Sequence, residues 1–314
     1  MTIFENYFEK DGWTLKKINE DAQKHPKEFV NYIEKTFEKQ IKETVDYIEK
    51  KRSECKILMI SGPSSSGKTT TANMIKDELM RRNIWTTVIS LDDFYVGIAR
   101  LPLLKDGSKD FESINGLDIE QVKKSIKGIV YEGFCDMPIY DFSTMAPSTK
   151  RRQIKLPENG MIIIEGLHAL NPIITEGLPL DSVFKIYVSV ENGVKLDDEM
   201  IISPKSIRLT RRVLRDFYFR DTSAERTILM WNNVCRGENL YIKPLQAESN
   251  IAINTFHAYE LCVMGAQMID LCSSVSKDLE IYDAIKRLCG KLAKFETIDD
   301  VLVPKTSLLK EFIK

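Results

Sequence analysis

Apolar residues recur along this chain in two rhythms. In the first, short runs at 56–61, 86–91, 160–165, 184–190 and 250–253 are mostly continuous in Ile, Val, Leu, Met and Phe rather than alternating with polar residues. Continuous apolar character is what parallel strands covered on both faces require. Separated by helical segments, such runs predict an α/β fold with a doubly wound parallel sheet and helices on both faces. In the second rhythm, Val30, Ile33, Phe37, Ile41, Val45 and Ile48 recur at steps of three or four in a Lys/Glu-rich stretch, the stripe of an amphipathic helix. That helix must cover the main domain or a second copy of the chain. The patterning divides the chain into an N-terminal extension over 1–54 made only of helix, a central domain over 55–272, and a C-terminal tail over 273–314 of one or two helices, its last stretch broken by Pro304.

The first apolar run breaks into Gly62-Pro63-Ser64-Ser65-Ser66-Gly67-Lys68-Thr69, followed by Thr70. This matches G-x-x-x-x-G-K-[ST] at every specified position and lies between a strand-like run and a helix-like one, with Met74, Leu79 and Met80 available for packing. Glycines at both ends let the backbone turn its N–H groups inward on a polyphosphate, and the helix adds its positive N-terminal end. Lys68 supplies a cation for the β- and γ-phosphates, and Thr69 a hydroxyl for Mg²⁺. The fold class sharpens to a P-loop NTPase, with ATP and Mg²⁺ as expected cofactors.

Two strand ends carry acids. Asp92 and Asp93 follow the run 86–91, and Glu165 closes the run 160–165. Ligands of open α/β sheets collect beyond the carboxyl ends of the strands, so one of the aspartates is placed to accept the proton of an alcohol nucleophile and Glu165 to face the metal. His168 is read as a structural hydrogen-bonder. Farther on, Arg208, Arg211, Arg212 and Arg215 share one face of a helix whose other face carries Leu209, Val213 and Phe217. Four like charges repel unless an anion neutralises them, and guanidinium groups suit phosphate oxygens; at least two are expected to serve phosphate.

With 45 basic and 46 acidic residues the chain carries no global charge that favours nucleic acid or a membrane surface. Six scattered cysteines form no C-x-x-C pair, which argues against a zinc site or a disulfide framework. The start, MTIFENYFEKDG, lacks the basic and apolar segments of a leader, and no apolar run approaches the ~20 residues that span a bilayer. A cytoplasmic protein with a small-molecule substrate is expected, with homo-oligomerisation left open.

In order and near-family spacing, GPSSSGKTT, ISLDDFY, DFES, MPIYDF, IIIEGLHAL and RLTRRVLRD resemble the uridine kinase and phosphoribulokinase family of P-loop kinases over residues 56–256. The segment from Trp231 through Gly237-Glu238 to Ile242-Lys243-Pro244, with Asn254, is similar to the bacterial uridine kinase-like nucleoside kinase branch. The resemblance implies a kinase acting on a primary alcohol, with the 5′-hydroxyl of uridine or cytidine first among acceptors and another nucleoside, a sugar phosphate or a polyol as the alternative. It makes Asp92 rather than Asp93 the base, Glu165 the metal-side acid, and Arg215 and Arg220 lid residues over the ATP phosphates. Asp92, Lys68 and Arg215 form the implied catalytic set; Tyr95, Glu112, Tyr140, Phe142 and Arg212 line the implied acceptor pocket with Asp92.

Departures from the pattern fall on the acceptor side. Met145 stands near the place of a base-reading histidine, Asp221-Thr222-Ser223 replaces a stretch that carries a further nucleoside-contacting arginine, and Glu112 replaces the usual aspartate. Two readings of another class are a nucleotide-driven switch or motor and a catalytically silent nucleotide sensor. The absence of an N-K-x-D guanine-reading motif and the DDFY element beside the P-loop oppose the first, and the full set of Lys68, Thr69, Asp92 and Glu165 opposes the second.

Overall fold

The computed structural model describes residues 12–53 and 55–314; the first eleven positions of the expected N-terminal extension, and residue 54, lie outside them. The chain begins with β1 (Trp13–Thr14), α1 (Leu15–Lys24) and α2 (Pro26–Lys51), then β2 (Ile57–Ser61), α3 (Lys68–Arg81), β3 (Thr86–Ser90) and α4 (Ile119–Lys127). A hairpin of β4 (Phe134–Asp141) and β5 (Ala146–Lys155) precedes β6 (Met161–Glu165), β7 (Val183–Ser189), β8 (Val194–Leu196) and β9 (Glu199–Ile202). The remainder comprises α5 (Pro204–Phe219), α6 (Ala224–Gly237), β10 (Ile251–Asn254), α7 (Glu260–Ser273) and α8 (Tyr282–Leu292).

The apolar runs become one parallel sheet in the order β10-β7-β2-β6-β3. Alternate residues of β2 serve two cores. Leu58 and Ile60 join one beneath α2, α3, α5 and α7, while Ile57 and Met59 join the other with α4 and the hairpin. With hydrophobic neighbours on both faces, no position in β2 can be polar before Ser61, which explains the unbroken pattern.

The stripe of α2 is buried along its length, from Phe29 and Val30 to Val45 and Ile48. Pro26 starts the helix at a position where a missing N–H costs nothing, and Lys50 and Lys51 sit at its negative end. Gln40, buried in the same stripe, donates through Nε2 to Asn254 O and accepts from Asn254 N. Its amide thereby closes part of the open edge of β10, the job a further strand would do. On α3, Ala72, Ile75 and Leu79 pack inward, whereas Met80 is exposed and accepts from Thr86 N through Sδ.

One short element corrects the sequence expectations. The N-terminal extension is not helix alone, because Trp13 and Thr14 pair in parallel with Val194 and Lys195 of β8, which β9 extends. The tail contributes α8 and two single 3₁₀ turns, Asp300–Leu302 and Leu308–Glu311, with Pro304 between them. The β4–β5 hairpin is antiparallel and breaks register between Pro138 and Tyr140.

Candidate active site

Strand register places the acids. Glu165 lies abreast of Ile60 on β2 and Ser90 on β3, so it stands one residue short of the P-loop strand's end and beside the turn that carries Asp92. The P-loop leaves the middle strand of the sheet between β6 and β7, where the chain's next strand, β3, is reached only by crossing over β6. That reversal opens a crevice at the carboxyl ends.

The loop itself is pinned from outside. Ser64 O accepts from Arg208 Nη1 at 3.1 Å, Ser65 O from Arg211 Nη1 at 3.5 Å, and Ser66 O from Thr255 Oγ1 at 2.7 Å. A trans peptide sets C=O and N–H on opposite sides, so carbonyls turned toward these donors turn the following N–H groups the other way, into an anion-binding concavity. A Cβ on Gly62 would sit 1.8 Å from Val188 O, which excludes every side chain there, and Gly67 has the left-handed φ of +84°. The Ser65 and Ser66 hydroxyls are buried with no partner among the described residues. Inward N–H groups and orphaned hydroxyls together fit a polyphosphate.

Arg208 and Arg211 thus stand behind the loop. Arg208 pairs with Glu238 and lies 5.6 Å from the Trp231 ring; Arg211, fully buried, pairs with Glu260 at 2.6 Å and donates to Thr255 O. The anions that neutralise this half of the basic stripe are carboxylates of α7 and the segment after α6. Arg211→Leu would leave the Glu260 carboxylate buried and unpaired, at a cost of about 3–5 kcal/mol. Denaturant unfolding of the purified variant measures it.

The other half faces the crevice. Arg212 donates to Ser64 Oγ at 2.6 Å and pairs with Asp216, which also binds Arg215 at 2.8 Å and lies 3.8 Å from Arg220. Asp216 thus faces three guanidinium groups, and burial of Arg212, with the repulsion of Arg215, holds Arg212 below its usual pKa. Lys68 donates to Pro63 O at 3.0 Å, its pKa lowered by burial and supported by Glu165 and Asp92. Burial raises Asp92 against the pull of Lys68 and Arg220. Burial, then the charge of Asp92, lifts Glu165 to about 7.

Beside Asp92 runs an aromatic wall. The rings of Tyr95 and Tyr140 are 5.8 Å apart and those of Tyr140 and Phe142 5.0 Å, with Phe142 largely exposed. Tyr95 donates to Phe111 O, and burial lifts the neighbouring Glu112 to about 7 against the attraction of Arg212. His168, buried and pushed down to about 4, is neutral at pH 7 and donates through Nε2 to Glu112 O at 3.0 Å, the structural part expected of it. Asp93 turns elsewhere: it accepts from Tyr140 N and pairs with Arg152 of β5. Met145 sits in the hairpin turn with φ +52°, its carbonyl accepting from Ile98 N.

Sequence reasoning missed Thr255, Glu238, Glu260 and Asp216 as members of this site. No cluster of three or more metal-ligating side chains occurs among the described residues; Thr69 with Glu165 suits Mg²⁺, which takes one or two carboxylates and completes its shell with water and phosphate. The cysteines are free thiols.

The sequence profile of the phosphoribulokinase/uridine kinase family matches residues 57–261, spanning β2 to the start of α7. The chain belongs to that family. It is an ATP-dependent kinase. The uridine kinase of Ureaplasma parvum serovar 3 is 26% identical over 198 residues, covering 63% of this chain and 86% of the relative. That of Clostridium botulinum strain Okra is 27% identical over 199 residues, with the same coverages of 63% and 86%. A solved structure of a possible uridine kinase from Bacillus stearothermophilus matches with a TM-score of 0.46 at 19% identity, covering 68% of this chain and 100% of that one. No helix among the described residues is long and apolar enough to cross a membrane.

Proposed function

We propose that this kinase transfers the γ-phosphoryl group of ATP to a primary alcohol, with the 5′-hydroxyl of uridine or cytidine as the leading acceptor. The observation that carries the reading is the meeting of Lys68, Asp92 and Glu165 over a P-loop whose carbonyls are tied back, with the Tyr95–Tyr140–Phe142 wall and Glu112 alongside. Mg²⁺, held by Thr69 and Glu165, would offset charge on the β- and γ-phosphates.

The chain's own groups then have separate tasks. Residues 62–70 hold the polyphosphate through backbone N–H groups and hydroxyls. Lys68, Arg215 and Arg220 balance the negative charge that shifts as the phosphoryl group moves. Asp92 orients the acceptor hydroxyl and takes its proton, which passes from the alcohol oxygen to the carboxylate as the new P–O bond forms. Tyr95, Glu112, Tyr140, Phe142 and Arg212 position the acceptor and keep water from competing.

A second reading keeps this machinery and changes the acceptor to another nucleoside, a sugar phosphate or a polyol. It rests on Met145, a thioether in the hairpin turn, near the place where the family it resembles carries a base-reading histidine. An apolar wall discriminates between acceptors by only about 10–200-fold. ADP formation measured with ribonucleosides, deoxynucleosides and sugar phosphates tests both readings. Uridine and cytidine are expected to give the highest kcat/KM, with modest discrimination against purine nucleosides; a sugar phosphate at the top of the series hands the site to the second reading, and no acceptor-dependent ADP release at all would sink the kinase mechanism.

A further inference from the structure

The last residues of the chain reach the phosphate-binding loop. Leu308, Leu309, Phe312 and Ile313 are buried to within 1% of complete, and the Leu308 side chain lies against Gly67, so close that a Cβ there would be 2.5 Å from Leu308 Cδ1. Ser307 donates to Glu34 of α2 at 2.6 Å, and Tyr259 donates to the same carboxylate oxygen. Phe312 covers Arg211 at 5.2 Å. These contacts bind the segment to α2, α5 and the P-loop at once, so its position is set by the core rather than by the surface.

From this strap Glu311 projects, half-buried, and its Oε2 accepts a hydrogen bond from Thr70 Oγ1 at 2.7 Å. Thr70 stands in the first turn of α3, at the end of the helix that attracts anions. A threonine hydroxyl has one proton to give. While it is given to Glu311 it cannot be given to a phosphate oxygen, and a carboxylate and a phosphate brought to the same helix end repel. The negative charge of Glu311 also reaches Lys68 and Glu165, so it acts where the nucleotide's own charge has to go.

We propose that Glu311 is a built-in competitor for the nucleotide site, its carboxylate standing on Thr70 in place of a phosphate and having to swing away before the nucleotide seats. The apolar anchors of the strap need not move, because the exchange involves one partly exposed side chain. The C-terminal segment therefore sets nucleotide affinity, and any condition that draws Glu311 off Thr70 raises it. This rests on the nucleotide site proposed above, with residues 62–70 as its phosphate cradle.

The test is binding of ATP and ADP, with Mg²⁺, to the full chain and to Glu311→Ala and Glu311→Gln, by titration calorimetry, together with steady-state kinetics. Removing the carboxylate is expected to tighten ATP binding about tenfold for Glu311→Ala. Glu311→Gln, which keeps an acceptor oxygen without the charge and preserves shape should the alanine variant fold poorly, gives a smaller gain. KM for ATP falls in both while kcat holds, a split that a purely structural role for the strap would not produce. Wild-type and variant proteins that bind ATP equally overturn the inference and leave the nucleotide site standing. Weaker binding in the variants also overturns it, since Glu311 would then be a ligand of the nucleotide or its metal. If neither wild type nor variants bind ATP, the nucleotide site itself is lost and the inference with it.

Discussion

Lys68→Ala is expected to drop kcat/KM by at least about 10²–10³-fold for every acceptor, the range seen when a single charge-stabilising group is removed from a transition state. The loss should be independent of the acceptor because, in the proposed mechanism, Lys68 serves the phosphates, which all reactions share. The fold should survive. In the folded protein Lys68 donates to Pro63 O, within its own loop, and burial makes its charge costly enough to lower its pKa; removing it relieves that cost and breaks no long-range hydrogen bond, but takes a compensating charge from Asp92 and Glu165. With these two effects opposed, the melting temperature of the variant should stay close to that of the wild type. A folded Lys68→Ala protein that turns over at the wild-type rate would show that the loop does not hold the reacting nucleotide.

The central sheet could be read from the sequence because burial on both faces leaves no room for polar residues. Each of the five runs matches an observed strand to within one residue at either end. The hairpin was not legible for the opposite reason. β5, APSTKRRQIK, is exposed along nearly all its length, with Ile154 its one buried residue, so its sequence has no apolar rhythm to report and its shape comes from pairing with β4. The arginine helix was legible only in part. Its spacing predicts one face for Arg208, Arg211, Arg212 and Arg215, but not which of them meet carboxylates. Glu238 and Glu260 lie 30 and 49 residues beyond their partners, and no local pattern connects them. Gly237, next to Glu238, has a reason of its own: a Cβ on it would lie 2.2 Å from the Glu112 Cβ, so that glycine gives Glu112 its space. The two adjacent aspartates were separable only by the family resemblance, since position along the chain assigns neither a role. In the structure their surroundings differ.

Asp92→Asn and Asp93→Asn, measured side by side, turn that difference into an expected result. Asp92 faces Lys68, Arg220 and Arg215, and the charges around it are those that would flank a transferring phosphoryl group. Asparagine preserves its size and one oxygen but cannot take a proton, so kcat should fall about 10²–10⁴-fold, the usual contribution of a general base, while ATP binding changes little or improves as a negative charge leaves the crevice. Asp93 instead accepts from Tyr140 N and pairs with Arg152, half-exposed on β5. Exposed pairs of this kind contribute about 0–1 kcal/mol. Asp93→Asn should then act through the hairpin that carries Tyr140 and Phe142, raising KM for the acceptor by a few-fold with kcat nearly intact. The two variants differ by one position in sequence and should differ in which kinetic constant moves. Equal losses of kcat, or a larger loss in Asp93→Asn, would transfer the proton-accepting role to the second aspartate and require the hairpin to open during turnover, because only by releasing Arg152 and Tyr140 N could Asp93 reach an acceptor hydroxyl.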